Sequence, residues 1–164
     1  MGGTAISIIE HELKQLLKDD RFVPYLTVFA RLGFGLRAKA IIISQIFPIE
    51  NFLKDGQNQV IIRKGRNSVK PTKRHLSLRR FQKCLGLAPT ENSSGDMKNR
   101  SIIGGSDICR KALWQWIYTK IDPAKNRLKN DIADYLEPSL DYLKSTKTPI
   151  RLARMNVARQ LNYC

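Results

Sequence analysis

The sequence predicts a mainly α-helical fold with a helix-hairpin-helix-like N-terminal part and a basic loop or short β-hairpin as an insertion. Three observations lead to this prediction. Apolar residues recur at helical spacing in most segments, and glycines and prolines separate those segments. The chain also has 164 residues with a 42% hydrophobic fraction, which is enough for one domain with its own core.

Three helices are predicted in the first third of the chain. Residues 6–17 carry apolar side chains at helical spacing, and residues 22–29 form a second short apolar unit. A third helix is expected over residues 38–47, where Pro48 stops it.

The stretch 31–35 contains Gly33 and Gly35 between two of these helices, a layout that resembles a helix-hairpin-helix. Glycines at such a turn let backbone N–H groups approach a phosphate, with the N-terminus of the next helix behind them. A tight turn that binds nothing is the alternative, since Lys39 stands where a small residue is usual. The glycines do not follow a strand, so a dinucleotide site is not predicted.

Residues 55–75 form a strongly basic segment, with six Lys or Arg and one acidic residue. A short strand is expected over residues 60–63, and a β-hairpin around Lys64 and Gly65. We interpret the segment as a mobile basic insertion. The alternative is a solvated loop whose charge only keeps the chain soluble.

The next segment is predicted to be a helix over residues 77–85, with Ser77 as its N-cap. Gly86 is expected to end this helix and Pro89 to prevent its restart. A polar loop is then predicted over residues 90–100.

Three helices are predicted in the C-terminal part. Ser106 is expected to cap a helix over residues 107–120, and residues 125–143 give a strongly amphipathic pattern that Pro138 should kink or split. A last helix is predicted over residues 150–161. Trp114 and Trp116 are expected to lie in the core rather than to stack on bases.

The charge points to a polyanionic partner. The chain has 29 basic and 14 acidic residues, a net charge of +15, and such a surface most often binds nucleic acid. An anionic membrane surface is the competing partner, but no apolar run approaches the length that spans a bilayer. The N-terminus lacks the layout of a signal peptide, so we expect a cytoplasmic protein without a membrane partner.

No metal site is predicted from the cysteines and histidines. The three cysteines, Cys84, Cys109 and Cys164, are odd in number and lack C-x-x-C spacing, so neither a disulfide framework nor a zinc site is expected. His11 and His75 have no partners at ligand spacing.

The polar turn at residues 93–96 carries a candidate nucleophile, Ser94, directly before Gly95. A serine hydroxyl can attack a phosphodiester when nearby cations neutralise the phosphate. Without further information, such a loop is usually only a turn. The residues predicted to contact nucleic acid are Gly33, Gly35, Arg79, Arg80, Lys98, Arg100, Arg110 and Lys111.

The span 26–161 resembles the C-terminal domain of the IS116/IS110/IS902 family of insertion-sequence transposases. The order and spacing of several motifs carry the resemblance. They are the 31–35 turn, Ala38 and Ala40, Phe81, Leu85-Gly86-Leu87-Ala88-Pro89, Ser94-Gly95, residues 102–105, Arg110-Lys111-Ala112-Leu113 and the closing 151–161 helix.

The resemblance implies a DNA recombinase that acts with a guide RNA. It implies an N-terminal RuvC-like domain with four acidic magnesium ligands, and a C-terminal domain whose serine attacks DNA. That serine corresponds to Ser94, with Ser93 as the neighbour most easily confused with it. Arg110 matches the family's helix arginine, and both phosphate contact and helix packing stay open as its role.

We expect residues 1–20 to be the remnant of a linker helix and residues 21–164 to be the transposase C-terminal domain, with the basic insertion at 55–75. A truncated copy is predicted, because no RuvC-like segment is present. It would hold no cofactor of its own, would be inactive alone, and would form homo-oligomers only as part of a full-length protein. A non-catalytic nucleic-acid-binding module is the alternative, and an inert or poorly folded remnant is a third interpretation.

Overall fold

The computed structural model describes residues 2–64, 70–88, 90–94, 97–101 and 104–161, with side chains for all of these except 2, 90–94 and 97–101. Within these ranges the chain forms seven α-helices and two antiparallel hairpins, which confirms the predicted mainly α fold. The helices are α1 Gly2–Leu16, α2 Val23–Arg31, α3 Leu36–Ile46, α4 Leu76–Cys84, α5 Asp107–Trp116, α6 Asp131–Ser145 and α7 Ile150–Gln160. The strands are β1 Val60–Lys64, β2 Pro71–His75, β3 Thr90–Ser94 and β4 Met97–Ser101.

Helix α5 lies at the centre of the fold, between α3 on one side and α7 on the other. Its apolar face carries Cys109, Leu113 and Trp116, all buried. A π-helical turn, Ile117–Ile121, extends this face. The core therefore runs continuously from α2 and α3 through α5 to the α6–α7 pair.

The helices predicted in the N-terminal and C-terminal parts are present, with ends that shift by up to six residues. Pro138 was predicted to kink or split the helix, and the split is wrong, since α6 runs through the proline from Asp131 to Ser145. Leu136 and Leu140, on either side of the proline, are fully buried. Their packing holds the helix together although the proline nitrogen donates no hydrogen bond. The helix also begins later than predicted, at the Asn130 cap, whose side chain accepts from the Ala133 N–H at 3.1 Å.

The basic insertion forms a β-hairpin, as predicted, in which β1 pairs with β2 from Val60↔His75 to Lys64↔Pro71. The turn predicted at Lys64 and Gly65 is placed wrongly, because Lys64 is still paired within the ladder. The prediction that Ser77 caps the helix after the hairpin is wrong. Helix α4 begins at Leu76, and Ser77 lies inside it. The Ser77 hydroxyl is buried and accepts from the Gln59 N–H at 2.9 Å, so it fastens the start of the hairpin instead of capping the helix.

The prediction of a polar loop over residues 90–100 is also wrong. Strands β3 and β4 pair there, from Thr90↔Ser101 to Ser94↔Met97. The segment has few of the β-branched and aromatic residues that favour strands, so composition gave little sign of the pairing. No helix among the described residues is long and apolar enough to cross a bilayer.

Candidate nucleic-acid interface

Ser94 is the last residue of strand β3 and pairs with Met97 of strand β4. Residues 95 and 96, which follow it, lie outside the described residues. Ser93 pairs instead with Lys98, and Glu91 pairs with Arg100. The backbone therefore places Ser94 at the far end of the hairpin, one residue beyond Ser93.

Two glycines close the base of this hairpin. Gly86 and Gly105 both have positive φ, at 71° and 72°. A methyl group on Gly105 would lie 2.7 Å from the Cα and N of Gly86 and 1.9 Å from the Lys83 carbonyl oxygen. A methyl group on Gly86 would lie 2.7 Å from the Ser106 carbonyl oxygen. Only glycines allow backbones to approach this closely, and we call this contact the glycine clamp.

The ends of α4 and α5 meet at the glycine clamp. Helix α4 ends in a Schellman motif, in which Leu87 N donates to Gln82 O at 2.8 Å and Gly86 N to Lys83 O at 3.0 Å. Ser106 N donates to Cys84 O at 2.9 Å. The Ser106 hydroxyl caps α5, as predicted, by accepting from the Cys109 N–H at 3.1 Å. The chain that carries Ser94 thus leaves and re-enters the helical body at one fixed point.

Arg110 braces the glycine clamp from α5. Its guanidinium donates to the Gly86 carbonyl oxygen at 3.3 Å and to Asp107 Oδ1 at 2.5 Å. Its side chain is 23% exposed. Lys111 is 77% exposed and pairs with Asp107 Oδ2 at 2.7 Å. Hydrogen bonds from Lys111 and Arg110 lower the pKa of the exposed Asp107 carboxyl.

A groove of about 590 Å³ opens beside these two cations, between α5 and α7. Arg151 and Met155 of α7 line it together with the half-buried Trp114 of α5. The predicted site did not include Arg151. Its helical spacing with Arg154 was visible in the sequence, but only the packing of α7 on α5 brings it next to Arg110 and Lys111.

Arg79 and Arg80, adjacent on α4, have different surroundings. Arg80 donates to the Phe52 carbonyl oxygen at 3.1 Å and to Gln59 Oε1 at 3.0 Å, and it contacts Ser77 Oγ at 3.5 Å. It therefore ties the basic hairpin to α4. Arg79 is exposed, and its side chain contacts no acceptor among the residues with described side chains.

Two side chains of the helical body hold the turn with Gly33 and Gly35 by hydrogen bonds to its backbone. Trp116 Nε1 donates to the Leu32 carbonyl oxygen at 2.6 Å, and Asn130 Nδ2 donates to the Arg31 carbonyl oxygen at 2.7 Å. Gly33 has a φ of 62°, and a methyl group there would lie 3.1 Å from Leu128 Cδ2. A side chain at Gly33 would thus point toward Leu128 in the body of the protein, although Gly33 itself is exposed.

Gly35 is the open glycine of this turn. It precedes α3 with an extended backbone, and a methyl group there would meet nothing within 4 Å. The first N–H groups of α3 begin directly after it.

The tryptophans divide between core and surface. Trp116 is buried, as predicted, and packs edge-on against Phe34 with ring centroids 5.5 Å apart. Trp114 is half-buried and stacks on Tyr118 at 5.5 Å. The Arg154 guanidinium lies 5.0 Å from the Trp114 ring centre and 4.6 Å from that of Tyr118. The prediction of a core position is therefore correct for Trp116 and too simple for Trp114.

The described cysteines are free thiols in packed positions. Cys109 Sγ lies 3.5 Å from the Ile41 carbonyl oxygen and Cys84 Sγ lies 3.2 Å from that of Gln45. Burial raises the pKa of both thiols, so neither is an activated nucleophile. Among the described residues, no group of three or more histidine, cysteine or carboxylate side chains could hold a metal ion.

The fold and its charge define a basic, mainly α-helical domain with a hairpin clamped between two helix ends. Residues 68–132 match the family model described as Transposase IS116/IS110/IS902 family. The resemblance predicted from the sequence motifs is confirmed over these residues, which include β2, α4, Ser94 and α5. Comparison with curated proteins and with solved structures gave no significant match.

Proposed function

We propose that this chain is the DNA-binding C-terminal part of an insertion-sequence transposase and that Ser94 is its nucleophile for strand transfer. The observation that carries the proposal is the family match over residues 68–132, which contains the serine and both glycines of the clamp. The net charge of +15 suits a DNA partner. Residues 21–164 would form this part, and residues 1–20 the end of a linker helix.

In the proposed reaction the Ser94 hydroxyl oxygen attacks the phosphorus of a DNA phosphodiester. A bond forms between that oxygen and phosphorus, the bond from phosphorus to one sugar oxygen breaks, and the serine proton ends on the released sugar hydroxyl. A second attack, by a hydroxyl of the recipient strand, releases the serine. Since phosphoryl transfer depends mainly on positioning and charge neutralisation, Lys98 and Arg100, on the opposite strand of the same hairpin, would neutralise the phosphate at the serine. Arg110 and Lys111, at the base of the hairpin, would contact phosphates farther along the DNA.

The glycine clamp supports the proposal because it gives the hairpin a rigid base. A nucleophile must hold its position relative to the phosphate within about an ångström. Fixing both ends of the segment between Cys84 and Asp107 at one point sets where the hairpin that carries Ser94 leaves the helical body.

Covalent capture tests the role of Ser94. The chain, alone and fused to a RuvC-like domain of a related transposase, is incubated with DNA that carries a phosphorothiolate at the cleaved position, so that the released thiol cannot reverse the reaction. We expect a protein–DNA adduct in wild type and in Ser93→Ala, and none in Ser94→Ala. Equal adduct in the two alanine variants would show that Ser94 is not the nucleophile.

A non-catalytic DNA-binding module is the second candidate, and the exposed Gly35 before α3 is the observation that favours it. Backbone N–H groups at a helix start can bind a phosphate, with Arg37 and Lys39 in the first turns of the same helix. DNA affinity that falls steeply with salt, without any adduct from either form of the protein, would support this candidate over the first. A guide RNA and a second copy of the chain stay predictions from the family.

A further inference from the structure

The basic hairpin β1–β2, which we call the ribbon, stands out from the helical body. Apart from the half-buried Ile61, every residue in its two strands is exposed. Val60 is 41% exposed and Ile62 is 68% exposed, so the helical body leaves these two apolar side chains uncovered. Five residues in each strand give the ribbon a length of about 17 Å.

The base of the ribbon is fastened firmly. Leu76 N donates to Gln59 O at 2.8 Å, and Gln59 N donates to the buried Ser77 Oγ at 2.9 Å. The Arg80 guanidinium bridges Gln59 Oε1 and the Phe52 carbonyl oxygen. These bonds set the direction in which the ribbon leaves α4, so the ribbon is an arm with a fixed base.

Both faces of the ribbon carry cations. Residues directly opposite each other share a face, so the register Ile61↔Arg74 and Arg63↔Thr72 places two arginines on one face. The register Ile62↔Lys73 and Lys64↔Pro71 places two lysines on the other. The side chains of these four residues form no ion pair with a carboxylate among the described residues.

A single sheet with side chains on both faces is about 10 Å thick. The major groove of B-form DNA is about 12 Å wide and admits a two-stranded ribbon, whereas the minor groove is about 6 Å wide. The phosphates of the two strands form the two walls of the groove. A ribbon that enters edge-on would therefore place its arginine face against one wall and its lysine face against the other.

We propose that the ribbon inserts edge-on into the major groove of B-form DNA, with Arg63 and Arg74 on one row of phosphates and Lys64 and Lys73 on the other. This inference rests on the proposed DNA-binding function and adds the element and the groove that it uses. The major groove of an A-form RNA duplex is too deep and narrow to admit side chains. The ribbon therefore distinguishes DNA duplex from RNA duplex.

Binding of the full chain to a 30-base-pair DNA and to RNA duplex of the same sequence tests the proposal. The ribbon variant is Arg63→Gln/Lys73→Gln/Arg74→Gln, and the matched control is Lys14→Gln/Lys125→Gln/Lys129→Gln. All six positions are exposed, and each variant lowers the net charge from +15 by three charges to +12. Thermal melts of both variants confirm that they fold like wild type.

We expect the ribbon variant to lose about 2.7 from the slope of log affinity against log salt, at about 0.9 per phosphate. The same slope corresponds to an affinity loss on the order of 100-fold near 0.15 M salt. The control should lose much less. The charge-conserving variant Arg63→Lys/Arg74→Lys should retain most of the binding. Bulky substituents on cytosine C5, which fill only the major groove, should remove the difference between wild type and the ribbon variant.

Equal losses in the ribbon variant and the control would overturn the inference, as would an equal effect of the ribbon variant on RNA duplex. Those outcomes leave the proposed function standing if the Ser94 adduct still forms, because the ribbon and the serine are tested separately. An absence of any DNA binding by wild type would overturn both proposals.

Discussion

Gly105 lies so close to Gly86 that a methyl group on Gly105 would lie 2.7 Å from the Cα and N of Gly86. A methyl group on Gly86 would in turn lie 2.7 Å from the carbonyl oxygen of Ser106. The two glycines approach from opposite ends of the segment that carries Ser94, one at the end of α4 and one before α5. Both also have positive φ, a backbone conformation that residues other than glycine rarely adopt. Two independent reasons therefore require glycine at both positions of the clamp: the positive φ and the lack of space for a side chain.

Gly105→Ala should therefore destabilise the protein by more than about 4 kcal/mol, because the methyl group would sit 1.9 Å from a carbonyl oxygen and must push α4 and α5 apart. Gly104→Ala is the matched control. Gly104 also has positive φ, at 100°, but a methyl group there meets nothing within 4 Å. The control should lose about 1–2 kcal/mol from strain alone. Urea unfolding followed by circular dichroism measures both, and equal losses would contradict the clamp.

Arg79→Ala and Arg80→Ala should affect different properties, DNA binding and stability respectively. Loss of Arg80 removes the bonds to Phe52 O and Gln59 Oε1, at a cost of about 1–2 kcal/mol in unfolding free energy. Loss of Arg79, which is exposed, should leave stability within about 0.5 kcal/mol. It should weaken DNA binding and reduce the salt slope by about 1. Chemical denaturation and DNA-binding titrations on both variants test the prediction. Equal changes in stability and in DNA affinity for the two variants would contradict it.

Asp122→Asn should be strongly destabilising. The Asp122 carboxylate accepts from Arg154 at 2.6 and 2.9 Å and pairs with Lys144. The side chains of Asp122 and Arg154 are each 13% exposed. Removing the carboxylate charge leaves a largely buried guanidinium without its counter-charge, which costs about 3–5 kcal/mol. As a control, Asp131→Asn removes an exposed partner of Arg31 and should cost less than about 1 kcal/mol.

The Asp122 pair also predicts a pH dependence. Burial raises the pKa of the Asp122 carboxyl, but hydrogen bonds from Lys144 and Arg154 outweigh it, so the pKa lies below its ordinary value. The stabilisation is present above the unfolded pKa of about 3.9 and is lost as pH falls through the lower folded pKa. The difference in unfolding free energy between wild type and Asp122→Asn should therefore be constant above about pH 5 and shrink below it. A difference that persists undiminished at pH 2 would contradict this linkage.

Trp116→Phe should cost about 1–3 kcal/mol, because it leaves the buried Leu32 carbonyl oxygen without the indole N–H that bonds it at 2.6 Å. Trp114→Phe keeps an aromatic ring beside Tyr118 and Arg154 and should cost about 1 kcal/mol or less. Chemical denaturation of the two variants distinguishes a core tryptophan from a surface one. Equal losses would show that the bond to Leu32 contributes nothing.

The helices and most of their ends were predictable because they depend on local sequence. The apolar spacing of residues 125–143 and 150–161, the cap at Ser106 and the stop at Gly86 all act within a turn or two of the chain. Strand β1 was predictable for the same reason, but the position of the turn was not, since the structure pairs Lys64 with Pro71. The β3–β4 hairpin was not, because its pairing joins polar residues of weak strand preference.

The roles of individual cations could not be predicted from their spacing. Arg79 and Arg80 are adjacent in the sequence, and only the position of Phe52 and Gln59 makes one of them a brace. Arg110 was assigned to nucleic acid with its role open, and the structure shows it bonded to Gly86 and Asp107. The role of Arg110 in phosphate contact stays a prediction.

The sequence by itself determined the helical class, the basic charge and the family motifs around Ser94, because periodicity, composition and motif order are properties of the chain alone. Tertiary structure decided which glycines meet, which arginines are bound to backbone and how the ribbon leaves α4. Those features depend on contacts between residues far apart in sequence. Such contacts form only when packing of the core brings α3, α4 and α5 together.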